Sequence, residues 1–376
     1  MNKSINERLK ITVIGCGQAG NSITAKIEEY VNELDGNKAN TSFVGINTST
    51  EDLASVSLSH KIHINNSKGA ACNRENGVQD LAESIDTILE ELESYIIDDS
   101  IVFIATSLGG GTGSAIAPQL AEILLDEGHN VGMIVVLPAD NESLKIRDNA
   151  RQTFNEIDEL KPRMGSIFIL DNNATDKMKI NSTFASLFSS VLCINNKSQD
   201  GNMDLAEIEA CLLTPSFSII TRANKGNGTT ANIVDVLNRN TNIFAKREDK
   251  TVSVIGISEA VSAKESKIDM TELRKEVGTA PMEYHGYLSE SEENVIILSG
   301  LVMPYTRVDT MTESIQKEAD IIKNSRKATM EVRTAKTLDV FDSPVVEETK
   351  QTTDKPKGLS ALEKLRAKRI SKQTEK

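Results

Sequence analysis

Two glycine-rich turns and one pair of carboxylates are the parts of this 376-residue chain whose residue types and spacing could do chemistry. Gly15-Cys16-Gly17-Gln18-Ala19-Gly20-Asn21 follows the β-branched run Lys10 to Ile14 and leads into a helical pattern. Gly109-Gly110-Gly111-Thr112-Gly113-Ser114 has the same place after the run Ile101 to Thr106. A glycine turn between strand and helix lets backbone amides approach a phosphate, and the helix N-terminus adds a favourable dipole. Four glycines in five positions cost chain entropy, so the second turn points to a backbone wrapped closely round a ligand. Further on, Asn202-Met203-Asp204-Leu205-Ala206-Glu207 opens an apolar helical pattern through Ile208 and Leu212.

Each motif has a competing reading. The first turn is literally GxGxxG, the dinucleotide fingerprint of an NAD or FAD oxidoreductase. That fingerprint also asks for an acidic residue at the end of the next strand, to hold a ribose hydroxyl. Here the strand Thr41 to Ile46 ends in Asn47-Thr48. There is no GxxxxGK[ST], so the second turn is not a P-loop. Two such turns at one edge of a parallel sheet imply a nucleotide whose phosphate chain lies between them. Asp204 and Glu207, spaced D-x-x-E at a helix start, suit a capping box as well as they suit catalysis.

The elements that must position these residues alternate. Short β-branched runs at Lys10–Ile14, Thr41–Ile46, Lys61–Ile64, Ile101–Thr106, Val131–Leu137 and Ile167–Leu170 are separated by helical patterns, the signature of a parallel α/β sheet. Helices are expected at Asn21–Leu34, Val78–Ile97, Ser114–Asp126 and Arg147–Leu160. Ser182 to Asn195 is apolar on several sides and reads as a buried central helix. A second, smaller α/β region follows, with strands at Phe217–Thr221, Thr251–Ile257, Met282–Tyr287 and Val295–Leu301. Met311 to Thr334 reads as one charged, exposed helix. The expected division is 1–200 nucleotide-binding domain with central helix, 201–305 second domain, 306–335 C-terminal helix and 336–376 disordered tail.

Composition limits the partners. A formal charge of −13 sets the body against direct nucleic-acid binding, and 4% aromatics without Trp gives few platforms for base stacking. Lys355 to Lys376 departs from this: eight basic residues less two acidic ones give +6, leaving −19 on the rest. No apolar run is long enough to span a bilayer, and MNKSINERLK lacks the apolar core of a secretion signal. The four cysteines form no CxxC and the four histidines are scattered, which predicts reduced thiols, no clustered metal site and a cytoplasmic protein.

Together, GCGQAGN (Gly15 to Asn21) and SLGGGTGSA (Ser107 to Ala115) resemble the nucleotide signature of the tubulin/FtsZ superfamily, over an element order running from about residue 10 to 305. The resemblance implies a GTPase of that fold that binds GTP or GDP with Mg2+ and polymerises head to tail. Carried over by motif, Gly15, Gly17, Gln18, Ala19, Gly20, Asn21, Gly109, Gly110, Gly111, Thr112 and Gly113 would hold phosphates. Ala71, within Lys68 to Arg74, would sit in the loop that senses the terminal phosphate. Glu142 would contact the ribose, although the Glu142–Arg147 spacing is one residue wider than the division protein's. Asn172 would hold guanine, whose edge suits an amide that can both donate and accept. Phe184 and Phe188 are candidates for stacking on the base, or for plain core.

NxDxxE is similar to that superfamily's synergy loop. Asn202, Asp204 and Glu207 would then enter the nucleotide site of the next subunit and complete hydrolysis in trans. The tubulin-like GQAGN, the charged helix after the second domain and the basic tail look most like the superfamily's plasmid- and phage-borne segregation branch. That implies treadmilling filaments that move DNA through a DNA-bound adaptor engaged by the tail. A division GTPase, and a non-polymerising nucleotide-binding protein or dinucleotide oxidoreductase, are the alternatives.

Overall fold

In a computed structural model, the described residues are 8–34, 39–64, 70, 72–194, 201–240 and 243–330. The expected tail at 336–376 and the site candidate Ala71 lie outside them. The nucleotide-binding half alternates β1 (Lys10–Cys16), α1 (Gly17–Glu33), β2 (Asn40–Asn47), α2 (Thr50–Ser55), β3 (His60–His63), α3 (Arg74–Glu93), β4 (Ile101–Ser107), α4 (Thr112–Asp126), β5 (Asn130–Leu137), α5 (Leu144–Leu160), β6 (Ser166–Asp171) and α6 (Lys177–Val191). Then come α7 (Leu205–Leu213), β7 (Ser216–Asn224), α8 (Thr230–Asn240), β8 (Val254–Glu259), α9 (Met270–Val277), β9 (Met282–Tyr287), β10 (Glu293–Leu301) and α10 (Tyr305–Met330).

All ten strands join one sheet in the order β3-β2-β1-β4-β5-β6-β7-β10-β8-β9. From β3 to β7 every pairing is parallel. Its central strands, KITVIGC, IVFIATS and NVGMIVVL, are buried almost end to end, as strands covered by helices on both faces must be. β10 runs antiparallel to β7 and β8, so the sheet becomes mixed beyond β7. This is the expected α/β fold, a parallel nucleotide-binding sheet followed by a smaller second α/β region, with a short β6–β7 ladder from Ser166 to Phe168 carrying the sheet across the expected boundary. β1 pairs with both β2 and β4, so the strand order reverses between β1 and β4. In parallel sheets that switch point opens a crevice at the strands' C-terminal edge. Both glycine turns lie there.

The expected central helix starts earlier than its apolar run suggests. Asp176 caps it by accepting from the amides of Met178 and Lys179, so α6 begins at Lys177. Phe184 and Phe188 are fully buried and meet Phe103 and Phe168 with ring centroids 5.3 to 6.0 Å apart. Their role is core packing, since neither ring reaches solvent or a cavity. α6 runs back from the C-terminal edge of the sheet, and Leu192 O accepts from the Ala39 amide just before β2 begins. The end of α6 therefore stands at the sheet's N-terminal edge.

α10 is also different from expectation. Val308, Met311 and Ile315 form a buried stripe at helical spacing, so its first half is docked against α5. Residues 321–325 are exposed, with Ile321 and Ile322 open to solvent.

Replacing Phe188 by Ala should cost about 3–5 kcal/mol in denaturant unfolding, the usual range for a buried ring. Unchanged stability with impaired ligand binding would instead return this ring to the site.

Candidate functional site

The two glycine turns pack backbone on backbone. Gly17 has φ +72°, and a Cβ there would lie 2.8 Å from the Gly113 amide nitrogen. A Cβ on Gly113 would lie 2.4 Å from Cys16 O, and one on Gly20 would lie 2.1 Å from Ala105 O. Glycine is required at these positions by the protein itself. Gly110 differs: a Cβ there meets nothing within 4 Å, although the residue lines the cavity described next. Among the described residues, nothing sterically requires a glycine at that position.

The cavity holds about 300 Å³ and is lined by Cys16 to Ala19, Asn47 to Ser49, Asp52, Ala70, Cys72, Ser107, Gly109 to Gly113, Glu142 and Ile146. Of the expected site residues it gathers Gly17, Gln18, Ala19, all of Gly109 to Gly113, and Glu142. Gly15, Gly20 and Asn21 stand behind the first turn instead. Asn21 is fully buried and donates to Ile46 O at 3.3 Å, holding β2 against α1. Asn172 reaches the rim indirectly, through a 3.5 Å contact to Glu142 Oε1.

Helix capping identifies the ligand's charge. Side chains cap α2, α3, α5, α6, α7 and α9, from Ser49, Asn73, Ser143, Asp176, Asp204 and Asp269. α1 and α4 have no side-chain cap and no acidic residue in their first turns. These two N-termini open on the cavity, with their amide groups and positive dipole ends unanswered. No Lys, Arg or His is among the described lining residues. The cavity is therefore built for an anion held by backbone. Thr48 Oγ1 and Thr112 Oγ1, 2.7 Å apart, tie the second β-strand's exit to the glycine turn.

Asn149 was not anticipated from the sequence. Fully buried on α5, it donates through Nδ2 to Cys72 O at 2.9 Å and to Gly109 O at 3.1 Å, so one amide holds two of the cavity's walls. Cys72, beside it, takes φ 58°, an uncommon backbone for a side-chain-bearing residue. The only sequence signal of Asn149 was its position in the first turns of a helix, which says nothing of the loops it holds.

Glu142 and Arg147 part company. The Glu142 carboxylate lines the cavity, accepting from the Ala139 amide at 3.2 Å and pairing with Lys177 Nζ at 3.0 Å. Arg147 is buried and turns away, to Ser314 and Glu318 of α10. The Arg147 hydrogen bond holds the Glu318 carboxyl below its ordinary range.

Asp204 and Glu207 form a full capping box: Asp204 Oδ1 accepts from the Glu207 amide and Glu207 Oε2 from the Asp204 amide, both at 2.9 Å. Asn202 bonds Ile194 O beyond the end of α6, and its Oδ1 accepts from Ser258 Oγ at 3.0 Å. Met203 is buried over Gly256 and Gly286, whose missing side chains make room for it. The loop is thereby fixed just past the end of α6 and against the ends of β8 and β9, and none of its residues lines the cavity.

Residues 10–179 match the Tubulin/FtsZ family, GTPase domain. With the fold described above, this makes residues 10–179 similar to a tubulin/FtsZ-type GTPase domain. It is 28% identical over 328 residues to the tubulin-like protein TubZ of Clostridium botulinum C phage, covering 85% of this chain and 86% of the relative. The crystal structure of Clostridium botulinum phage c-st TubZ superposes with a TM-score of 0.68 at 25% identity, covering 84% of this chain and 99% of that one. A GTPγS-form protofilament of Bacillus thuringiensis serovar israelensis TubZ shares the fold at a TM-score of 0.70 and 17% identity, covering 87% and 97%.

Thiol labelling can test the cavity. Burial pushes the Cys16 and Cys211 thiols up to about 12, which keeps both protonated and unreactive near neutral pH. Cys72 is exposed at the cavity wall. GDP should slow maleimide labelling of Cys72 severalfold, with Cys72→Ser as the blank, and equal rates with and without GDP would place the ligand elsewhere.

Proposed function

We propose that the chain is a GTPase that polymerises head to tail, with hydrolysis completed by the next subunit. The observation that carries this reading is the separation of parts. A phosphate-type cavity lies at one edge of the sheet, and an outward-facing carboxylate pair is pinned to the other. GTP fits the cavity because its triphosphate answers the two uncapped helix ends, and Gly110 leaves space beside it. The α1 and α4 amides bind and orient the phosphates, and the buried packing behind them fixes those amides before the ligand arrives.

Asp52 is the lining carboxylate available to a hydrated Mg2+, since Glu142 is engaged by Lys177. Bound Mg2+ would supply charge neutralisation to the phosphates, a need made sharper by the lack of basic side chains in the described lining. Among described residues no cluster of three metal-ligating side chains occurs, in keeping with a metal carried largely by the nucleotide and water.

In the assembled state Asp204 and Glu207 would orient and deprotonate the attacking water. The capping box occupies one oxygen of each carboxylate and leaves acceptor sites over, so capping and catalysis are compatible roles. Asn202 acts by holding the loop. On the rim, Glu142 and Asn172 face the ribose and guanine. The functional division into 1–200, 201–305, 306–335 and 336–376 follows from this scheme. The filaments would treadmill in the cytoplasm and segregate or position plasmid or phage DNA, with the basic tail engaging a DNA-bound adaptor. Support comes from the similarity to phage TubZ over most of both chains, and from the protofilament form of a protein with this fold.

The test is phosphate release from GTP against protein concentration, with pelleting of the same samples. Turnover per molecule should be near zero below a threshold and rise with polymer above it; a constant rate without polymer would remove the trans mechanism. Glu207→Gln keeps an oxygen for the Asp204 amide while removing the charge. It should bind GTP and assemble normally but release phosphate about 10²-fold more slowly, and an undiminished rate would take Glu207 out of the mechanism.

A further inference from the structure

Two loops carry the base-side rim of the cavity. One follows β5 and brings Glu142; the other follows β6 and brings Asn172. They are laced together. The Asp140 amide donates to Asn173 Oδ1, and Asn173 Nδ2 donates back to Asp140 Oδ2, each at 2.9 Å. The Asn172 amide donates to Leu137 O at 3.1 Å. Asp171 Oδ1 accepts from the Asn173 amide at 3.0 Å.

Behind this lacing stands Arg307, in the first turn of α10. Its Nε donates to Asp171 Oδ2 at 2.8 Å and its Nη2 to Pro138 O at 2.8 Å, and Nη1 lies 3.0 Å from Asp140 Oδ1. One planar guanidinium thus grips both rim loops at once. A second grip lies further along the helix. Arg147 Nε donates to Glu142 O at 2.9 Å, while the rest of its fork reaches Ser314 and Glu318. Neither arginine lines the cavity.

A helix docked for stability alone needs only its apolar stripe of Val308, Met311 and Ile315. Burying two guanidinium groups is costly unless their forked geometry is used. Here the Arg307 fork ends on both rim loops, while Arg147, from α5, ties the first of them to Ser314 and Glu318 of α10. The arrangement is that of a brace holding small loops in one geometry, and a site formed before its ligand arrives binds more tightly than one that must be ordered.

We propose that α10 braces the nucleoside half of the cavity, with Arg307 as the positioning residue that sets Glu142 and Asn172 without touching the ligand. The proposal rests on the nucleotide reading above. It divides the site into a phosphate half fixed by backbone packing and a nucleoside half held from behind by the C-terminal helix.

The test uses the full-length chain below its assembly threshold, with a fluorescent GDP as the probe. Arg307→Ala should weaken GDP binding about tenfold, mainly through faster release. Above the threshold its KM for GTP should rise while kcat at saturating GTP stays within about twofold, because the phosphate half and the synergy loop are untouched. Arg307→Lys keeps the charge but cannot fork, and should recover only part of the affinity. Asp140→Asn, an exposed change, should weaken GDP in the same direction by less and carries the test if Arg307→Ala does not fold. GDP affinity unchanged in folded Arg307→Ala, or in Asp140→Asn should that variant have to stand in, would overturn the brace. So would a loss of kcat and of thermal stability in step with the rise in KM. Failure of the unaltered chain to bind GDP is a different result, and would remove the nucleotide reading itself.

Discussion

The contact on which the rest of the structure depends is the backbone-to-backbone packing of the turn after β1 against the turn after β4. No side chain fits between Gly17 and Gly113, and the chain can make the contact only because both are glycine and Gly17 takes a left-handed φ. This closeness sets the first turns of α1 and α4 side by side. Each helix N-terminus behaves as roughly half a positive charge, so two adjacent, uncapped ends repel one another until an anion answers both. The arrangement is unfavourable by itself and favourable with a ligand. It follows that whatever anion fits should stabilise the fold by linkage, and that no capping side chain could be added at Cys16 or Gly111 without competing for the same amides.

The cavity's two halves are held by different physics. On the phosphate side, hard contacts between main-chain atoms leave almost no freedom, and even a methyl group at Gly113 would collide with Cys16 O. On the rim side, the loops carrying Glu142 and Asn172 are fixed by hydrogen bonds between side chains, by Arg307 reaching from α10 and by Arg147 of α5. Such a network is directional and can be undone one bond at a time. Asn149 stands at the junction, tying the Cys72 segment to the glycine turn from beneath. A chemically uniform pocket would respond to mutation as one unit, but this one has a rigid half and an adjustable half.

Much of this was legible in the sequence. The alternation of β-branched runs and helical patterns is a direct record of strands buried on both faces, and it located every strand in the sheet. The glycine clusters signalled close backbone approach. What escaped were elements whose cause is not periodic. α2 has six residues and one buried side chain, Leu53, too little to make a pattern. α9 did carry a signal in Asp269 and Glu272, a cap followed three residues later by an acid, but its short apolar content hid it. α8 follows a glycine- and asparagine-rich approach that reads as loop. Gly15, Gly20 and Asn21 show what a motif leaves open: it names residues that share a turn, and these three stand behind the face that lines the cavity. The docking of α10 was hidden because Arg307 belongs to no motif and Arg147 drew notice only through its spacing from Glu142. Their burial depends on Asp140, Asp171 and Glu318, which are distant in sequence.

The topology also bears on why one chain would hold only part of a hydrolytic site. In a parallel sheet the ligand crevice lies at the C-terminal edge, and a helix that follows the last such strand must run back across the sheet to continue the chain. α6 does this, and at ~1.5 Å per residue its length spans the depth of the sheet. The segment after it therefore emerges at the opposite edge, where Asn202 bonds Ile194 O and Met203 is buried beneath the start of α7. Carboxylates on that segment cannot fold back to their own cavity without dismantling the capping box and the Met203 anchor. On the proposed reading they meet the cavity of another copy. A contact joining one edge of a molecule to the other edge of its neighbour is heterologous, and without a closing rotation it continues as a filament. On that same proposed reading, assembly-dependent hydrolysis would require no separate regulatory device, because it would follow from the direction in which α6 leaves the sheet.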